Sequence, residues 1–354
     1  MIEILETATD YISGLYTLPW ILVGFIVTIV FSKVIGEEIV NKIMKKLGLV
    51  ILYVFVPLLL FRIFLGVDFR GNEIAFTILC FIIFTLMYLL AYLFALSKTK
   101  KLEITGQDKT DYIKTVLTNQ GRSSAFIGGA MLAIPQWSIY AALYMSIGAI
   151  FLFAAIPYIL SYLHKKEIKK QNNNSKIKAL PWYLKLYPWY LLCFAFAAII
   201  LHRNIGLSLQ SFGTNGSTIF TFFTQLTIPM ALYYVGAGIH PHDLKIQELK
   251  KLFSMKYKNK DHWPWVRNIF TLTVLITPVL TLVFLLPPFI FGLIPNPWFS
   301  VIIINSILPI TSTNMFLIPY GINKKVTALS VTWTTIVCVP IVVLLITGLD
   351  ILLQ

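Results

Sequence analysis

Apolar residues gather along this chain into ten stretches, near 18–35, 47–66, 74–96, 112–134, 136–163, 186–203, 217–238, 267–293, 298–320 and 326–350, divided by polar connections. Each is roughly 17 to 27 residues long, enough for a helix to cross a hydrocarbon core of roughly 30 Å. In lipid every backbone amide and carbonyl needs an internal partner, so a helix is the form such a stretch must take. The pattern predicts an all-α polytopic membrane protein with ten transmembrane helices. Glu3, Glu6 and Asp10 precede the first apolar run, and no basic segment does. This is unlike a cleavable signal peptide, so the first span is expected to remain in the protein.

Composition excludes the soluble alternative. With 57% hydrophobic and 12% charged residues and a mean hydropathy of +0.78, the chain has too little polar surface to cover itself in water. The lipid bilayer is therefore its expected environment. Cys80, Cys193 and Cys338 all fall inside apolar stretches, where they read as small buried hydrophobes. His240, His242 and His262 share one polar connection, but their spacing matches no strong ligand pattern. No metal and no cofactor is expected.

A net charge of +14 raises nucleic acid as a partner, and the placement of the charges removes it. Basic residues sit in alternate connections: Lys33, Lys42, Lys45 and Lys46; then Lys98, Lys100, Lys101, Lys109 and Lys114; then Lys165 to Lys185. They recur from Lys245 to Arg267 and finally at Lys324 and Lys325, leaving only Arg62, Arg70, Arg122 and Arg203 of the 29 elsewhere. By the positive-inside rule these connections are cytoplasmic, both termini lie outside, and the location is the plasma membrane.

The Lys- and Asn-rich segment after His164 reads as a linker, which divides the chain into residues 1–163, 164–185 and 186–354. Each flanking part holds five spans, and an odd number inverts the second part in the membrane relative to the first. The sequence carries traces of such an inverted repeat. Aligning Pro57 with Pro229 superposes Leu60 on Leu232, Phe61 on Tyr233 and Gly66 on Gly238, and Pro157 in span five is matched by Pro340 in span ten.

Spans four and nine correspond under this repeat, and both read badly as continuous helices. The fourth contains Thr118-Asn119-Gln120-Gly121-Arg122-Ser123-Ser124; the ninth contains Asn305-Ser306 and then Pro309-Ile310-Thr311-Ser312-Thr313-Asn314. Broken helices survive in a bilayer only where protein or a wet cavity covers the freed backbone. Crossing at mid-membrane, two such breaks would aim half-helix N-termini at one point and attract an anion. Arg122 sharpens this: every Asp and Glu falls in a connection, a terminus or a span end, and an intramembrane guanidinium suits a carboxylate held bidentately. Arg62, near the end of span two, reads equally as a second basic contact or as a residue snorkelling outward. His202 stands near a span end, where it is interfacial or a route for proton coupling.

The segment QGRSSAFIGGAML resembles the fourth-span motif of the auxin efflux carrier family of membrane permeases, which includes the plant PIN-FORMED carriers and prokaryotic malate and malonate permeases. LTIPMALYYVGAGI and SILPITSTNMFLIPYG resemble that family's seventh and ninth spans. The resemblance implies a 5+5 inverted-repeat carrier with the sodium/proton-antiporter and bile-acid-symporter architecture, whose spans four and nine frame the substrate. Ser123 or Ser124 takes the place of the family's polar crossover Asn in span four, and Thr313 or Asn314 does so in span nine. Gly129 stands where the family has proline, and the fourth-span motif is one residue short, so the resemblance carries no particular substrate. Related architectures pair through a scaffold, which makes a homodimer the expectation by analogy.

Together these readings give a secondary transporter that moves a small organic anion by alternating access. The contacts would come from Asn119, Gln120, Arg122, Ser123, Ser124, Asn305, Pro309, Thr311, Ser312, Thr313 and Asn314. A sodium-coupled symporter of the bile-acid type and a receptor without transport activity remain the alternatives. An enzyme is not expected, because no His, Asp, Glu or Cys constellation converges within the spans.

Overall fold

The computed structural model describes residues 2–11, 19–66, 71–123, 131, 135–170, 181–227, 229–230, 233 and 262–352. They are almost entirely helical, with no strand among them. The helices are α1 (Ile2–Tyr11), α2 (Pro19–Ile35), α3 (Glu37–Val50), α4 (Val56–Phe64), α5 (Gly71–Lys101), α6 (Gly106–Thr118) and α7 (Pro135–Ile150). There follow α8 (Ile156–Lys170), α9 (Trp182–Ile205), α10 (Gly213–Gln225), α11 (Trp263–Phe270), α12 (Thr277–Ile290), α13 (Asn296–Ile307) and α14 (Lys324–Leu352).

Three π-helical turns join helices that the hydropathy pattern treats as single spans: Ile51–Phe55 between α3 and α4, Phe151–Ala155 between α7 and α8, and Thr271–Ile276 between α11 and α12. Each is followed within two residues by a proline: Pro57, Pro157 and Pro278. Proline has no amide and its ring collides with the carbonyl four residues back, so a wider turn lets the helix continue through it. The freed groups find other partners. The carbonyl of Tyr53, opposite the missing amide of Pro57, accepts from the Tyr190 hydroxyl at 2.9 Å; beside Pro278, the Leu272 carbonyl accepts from both the Thr277 amide and Thr277 Oγ1, the latter at 2.8 Å.

Six of the resulting continuous helices are long and apolar enough to cross a membrane: Glu38–Phe64, Gly71–Lys101, Ile139–Lys166, Trp182–Ile205, Trp263–Ile290 and Lys324–Ile346. Their outer faces carry large exposed hydrophobics, such as Ile78, Phe81, Leu89 and Leu93 on α5, a surface that lipid covers at no cost and water does not. This is an integral membrane protein. The remaining stretches behave differently. The 18–35 stretch coincides with the shorter helix α2, and 217–238 lies partly outside the described residues. The stretches 112–134 and 298–320 are interrupted, as their glycine, proline and amide content predicts. Helix α1 was not legible in the sequence; it packs on α10, where Thr218 Oγ1 donates to Glu6 Oε1 at 3.3 Å.

Two features place the interrupted segments at the centre. Helix α6 is buried on every side from Tyr112 to its end, and α13 is buried from Phe299 to Ser306, so neither presents a face to lipid. Helices α8, α5, α7, α12 and α14 enclose them. On one flank Tyr53 stacks edge-on to Tyr187 at 5.1 Å and donates from its hydroxyl to the Tyr183 carbonyl at 2.7 Å, joining the α3–α4 helix to α9. Gly24 of α2 lies directly on the Tyr233 backbone, where any Cβ would overlap the carbonyl.

Two expectations about single residues are corrected. Lys114, grouped above with the cytoplasmic loops, is 1% exposed inside α6, with Nζ 3.9 Å from Asp111 Oδ1 and 3.4 Å from His164 Nδ1. The helix begins earlier than hydropathy suggests: its first turns from Gly106 are exposed or half-buried, and burial from Tyr112 onward takes Lys114 inside the protein. Cys193 is exposed on α9, whereas Cys80 and Cys338 are buried.

Candidate functional site

The breaks in the fourth and ninth apolar stretches meet. After α6, residues 119–123 leave the helix; after α13, residues 308–311 do the same. Arg122 and Ile310 then form an antiparallel bridge: the Ser123 amide donates to the Pro309 carbonyl at 2.8 Å, and the Thr311 amide donates to the Gly121 carbonyl at 2.9 Å. Each break thus satisfies backbone groups that the other has freed, which is what allows unwound chain to persist in an apolar interior.

Gly121 makes the close approach possible. A Cβ built there would lie 2.7 Å from Asn314 Oδ1, 2.9 Å from Leu152 Cδ1 and 3.1 Å from Thr311 Cγ2. The sequence reading took this glycine only as a helix breaker; its packing role emerges when the second segment is laid against it.

Helix α14 anchors the crossing through a row of hydroxyls. Thr334 Oγ1 accepts from the Ile310 amide at 3.1 Å and donates to the Ser330 carbonyl at 2.7 Å. Asn119 Nδ2 donates to Thr327 Oγ1 at 3.1 Å and to the Thr115 carbonyl at 2.8 Å, and Thr115 Oγ1 accepts from the Asn323 amide at 3.0 Å. Thr327, Ser330 and Thr334 are all fully buried. Their spacing of three and four residues puts them on one helix face, so a polar stripe in span ten was the signal that could have found them.

The residues singled out in the sequence fall into distinct positions. Arg122 is 7% exposed, and its Nε and Nη2 are buried without a hydrogen-bond partner among the described residues. Gln120 and Asn314 are equally buried, and neither amide group of either side chain is bonded; Asn119 Oδ1 and Thr118 Oγ1 share that condition. An unpartnered buried polar atom costs about 1–3 kcal/mol, so a cluster of them is held for a reason other than stability. Thr311 caps the 3₁₀ helix Ser312–Tyr320 by accepting from the Thr313 amide at 3.4 Å, and the two threonine hydroxyls lie 2.9 Å apart.

Others serve structure. Asn305 Nδ2 donates to the Val301 carbonyl at 2.7 Å and faces Met131 Sδ at 3.8 Å, so it secures α13. Pro309 contributes its carbonyl to the bridge, and Ser312 opens the 3₁₀ helix. Ser124 lies outside the described residues, as do His240 and His242. Arg62 resolves one of the two readings left open: Nη1 donates to the Thr221 carbonyl at 3.1 Å, tying α4 to α10, so the side chain is used inside the protein and does not snorkel. His202 is a helix cap, with Nδ1 2.8 Å from the Leu207 carbonyl.

The half-helix N-terminus expected after the break of span four falls on residues 124–130, outside the described residues. Helices α6 and α13 both reach the crossing by their C-terminal ends, because both breaks follow rather than precede the well-formed half of the span. Their carbonyl-rich ends favour the Arg122 cation. Among the described residues the N-terminal end at the crossing is that of the 3₁₀ helix starting at Ser312.

Beside the crossing is a cavity of about 70 Å³. Its walls are apolar, from Val56, Leu59, Leu60 and Ile63 of α4, Phe84 of α5, and Leu152 and Phe153 of the π-helical turn; Arg122, Thr227, Thr311 and Thr313 supply its polar groups. The arrangement can hold one anion against a guanidinium with its remaining atoms in an apolar pocket. No protein-family model and no characterised protein sequence matches this chain.

Proposed function

We propose that this chain is a secondary transporter for small organic anions, in which Arg122 holds the substrate carboxylate at the crossing of spans four and nine. The observation that carries this reading is the buried guanidinium of Arg122, whose Nε and Nη2 have no hydrogen-bond partner among the described residues, beside a cavity at the meeting point of two broken membrane segments. A cation is costly at such depth, and a carboxylate ligand returns that cost through two charge-assisted hydrogen bonds. A crossing held by a few backbone hydrogen bonds can also shift as a unit against the surrounding helices, which is what alternating access requires.

The ten-span, 5+5 inverted-repeat architecture belongs to this proposal, as do outward-facing termini, a plasma-membrane location and a homodimer. The motif resemblance to the auxin efflux carrier family supports it, as does the antiparallel meeting of the two breaks that the repeat relates. In this mechanism the anion enters from one side, engages Arg122 and the neighbouring amides, and leaves to the other side when the crossing moves. Asn119, Thr327 and Thr334 keep the crossing intact throughout.

The test is uptake into proteoliposomes of labelled lactate, succinate and indole-3-acetate, wild type beside Arg122→Gln, with and without a pH gradient. Saturable uptake of at least one acid that disappears in the variant supports the proposal. Absence of uptake for every acid, or uptake indifferent to Arg122, refutes it.

A further inference from the structure

Resting on the carrier reading, we infer that the site selects a short aliphatic monocarboxylate of three or four carbons over dicarboxylates and aromatic acids. Charge is the first ground. Among the described residues Arg122 is the single cation lining the cavity, and its bidentate fork matches one carboxylate. In sequence, residues 124–134 and 226–239 contain neither Lys, Arg nor His. Arg62, the nearest basic residue in α4, is engaged by the Thr221 carbonyl. A second carboxylate would enter an apolar pocket without a counter-charge, which is strongly unfavourable.

Lining and size supply the rest. Beyond Arg122 the walls are aliphatic and aromatic, broken only by three threonine hydroxyls. Of these, Thr311 and Thr313 face each other and Thr227 donates to the Thr224 carbonyl, so little polarity remains for a ligand's distal end. At about 70 Å³ the cavity has room for about five water-sized groups, which fits a carboxylate with a short alkyl chain and is too small for an indole.

The experiment is calorimetric titration of the purified full chain with acetate, butyrate, succinate and indole-3-acetate, in wild type, Arg122→Gln, Arg62→Gln and Leu60→Phe. Butyrate is expected to bind about tenfold or more tightly than either competitor, to be lost in Arg122→Gln and to be unaffected by Arg62→Gln. Leu60→Phe, which narrows the cavity without touching the charge, should weaken butyrate about tenfold and acetate far less. Succinate binding as tightly as butyrate overturns the inference, and its loss in Arg62→Gln would make that arginine the second cation. Indole-3-acetate binding as tightly overturns it by size. In both cases dependence on Arg122 leaves the anion carrier standing, whereas no Arg122-dependent binding by any of the acids removes both.

Discussion

Replacing Gly121 with alanine puts a methyl group in place of a hydrogen at the tightest point of the crossing. The backbone there has no left-handed φ, so alanine is conformationally acceptable and the effect is steric alone. Of the three atoms the new methyl would meet, Leu152 Cδ1 can rotate away. Asn314 Oδ1 at 2.7 Å belongs to a side chain, unbonded among the described residues, that has to turn, and Thr311 Cγ2 at 3.1 Å cannot yield, because Thr311 is held to Gly121 by its own amide. Overpacking of this kind costs about 1–3 kcal/mol. The two bridging hydrogen bonds are worth about 0.5–1.5 kcal/mol each, so the clash is of the same size as the pairing it opposes, and the crossing should separate. Thermal unfolding of the detergent-solubilised protein is expected to fall by roughly 2–12 °C, with transport lost. Gly348→Ala, where a Cβ meets nothing within 4 Å, is the control and should be neutral or slightly stabilising. A Gly121→Ala protein with wild-type melting temperature and uptake would refute the claim that close backbone approach defines the site.

Thr334→Val keeps the shape of the side chain but leaves the buried Ile310 amide without its acceptor, and should cost about 1–3 kcal/mol in stability while Thr334→Ser stays near wild type; equal melting temperatures for Val and Ser would contradict the anchoring role. Arg62→Ala removes a tie between α4 and α10 and should lower stability by about 1–2 kcal/mol with substrate affinity intact; an affinity loss exceeding the stability loss would make it a substrate contact. Asp111→Asn should destabilise more than Lys114→Met, since the first removes the negative charge beside a cation that is 1% exposed and the second removes the cation beside a carboxylate whose side chain is 31% exposed. The reverse order in thermal melts would show that Lys114 draws its support from elsewhere.

Hydropathy and charge were enough to read a membrane protein, the approximate limits of its long helices, and the two places where helices break. These are one-dimensional properties: lipid demands about 20 apolar residues per span, and a run such as Pro309-Ile310-Thr311-Ser312 or Asn119-Gln120-Gly121 announces an interruption wherever it occurs. Arg122 stood out for the same reason, as a charge inside a span with every acid confined to connections, termini or span ends. Helix α1 and the burial of Lys114 within α6 were not legible, because neither depends on local hydropathy.

What the sequence by itself determined about this protein is therefore its solvent, its helices and its points of weakness. Only the tertiary structure decided that the two breaks pair, that Gly121 is the contact point, that α14 anchors the crossing through Thr327 and Thr334, and that Arg62 is spent on a carbonyl. Each of these joins residues more than 100 positions apart, apart from the short link between Thr334 and Ile310. Such contacts are set by how helices pack in three dimensions, and a pattern read along the chain records which groups need partners but not which partners they find.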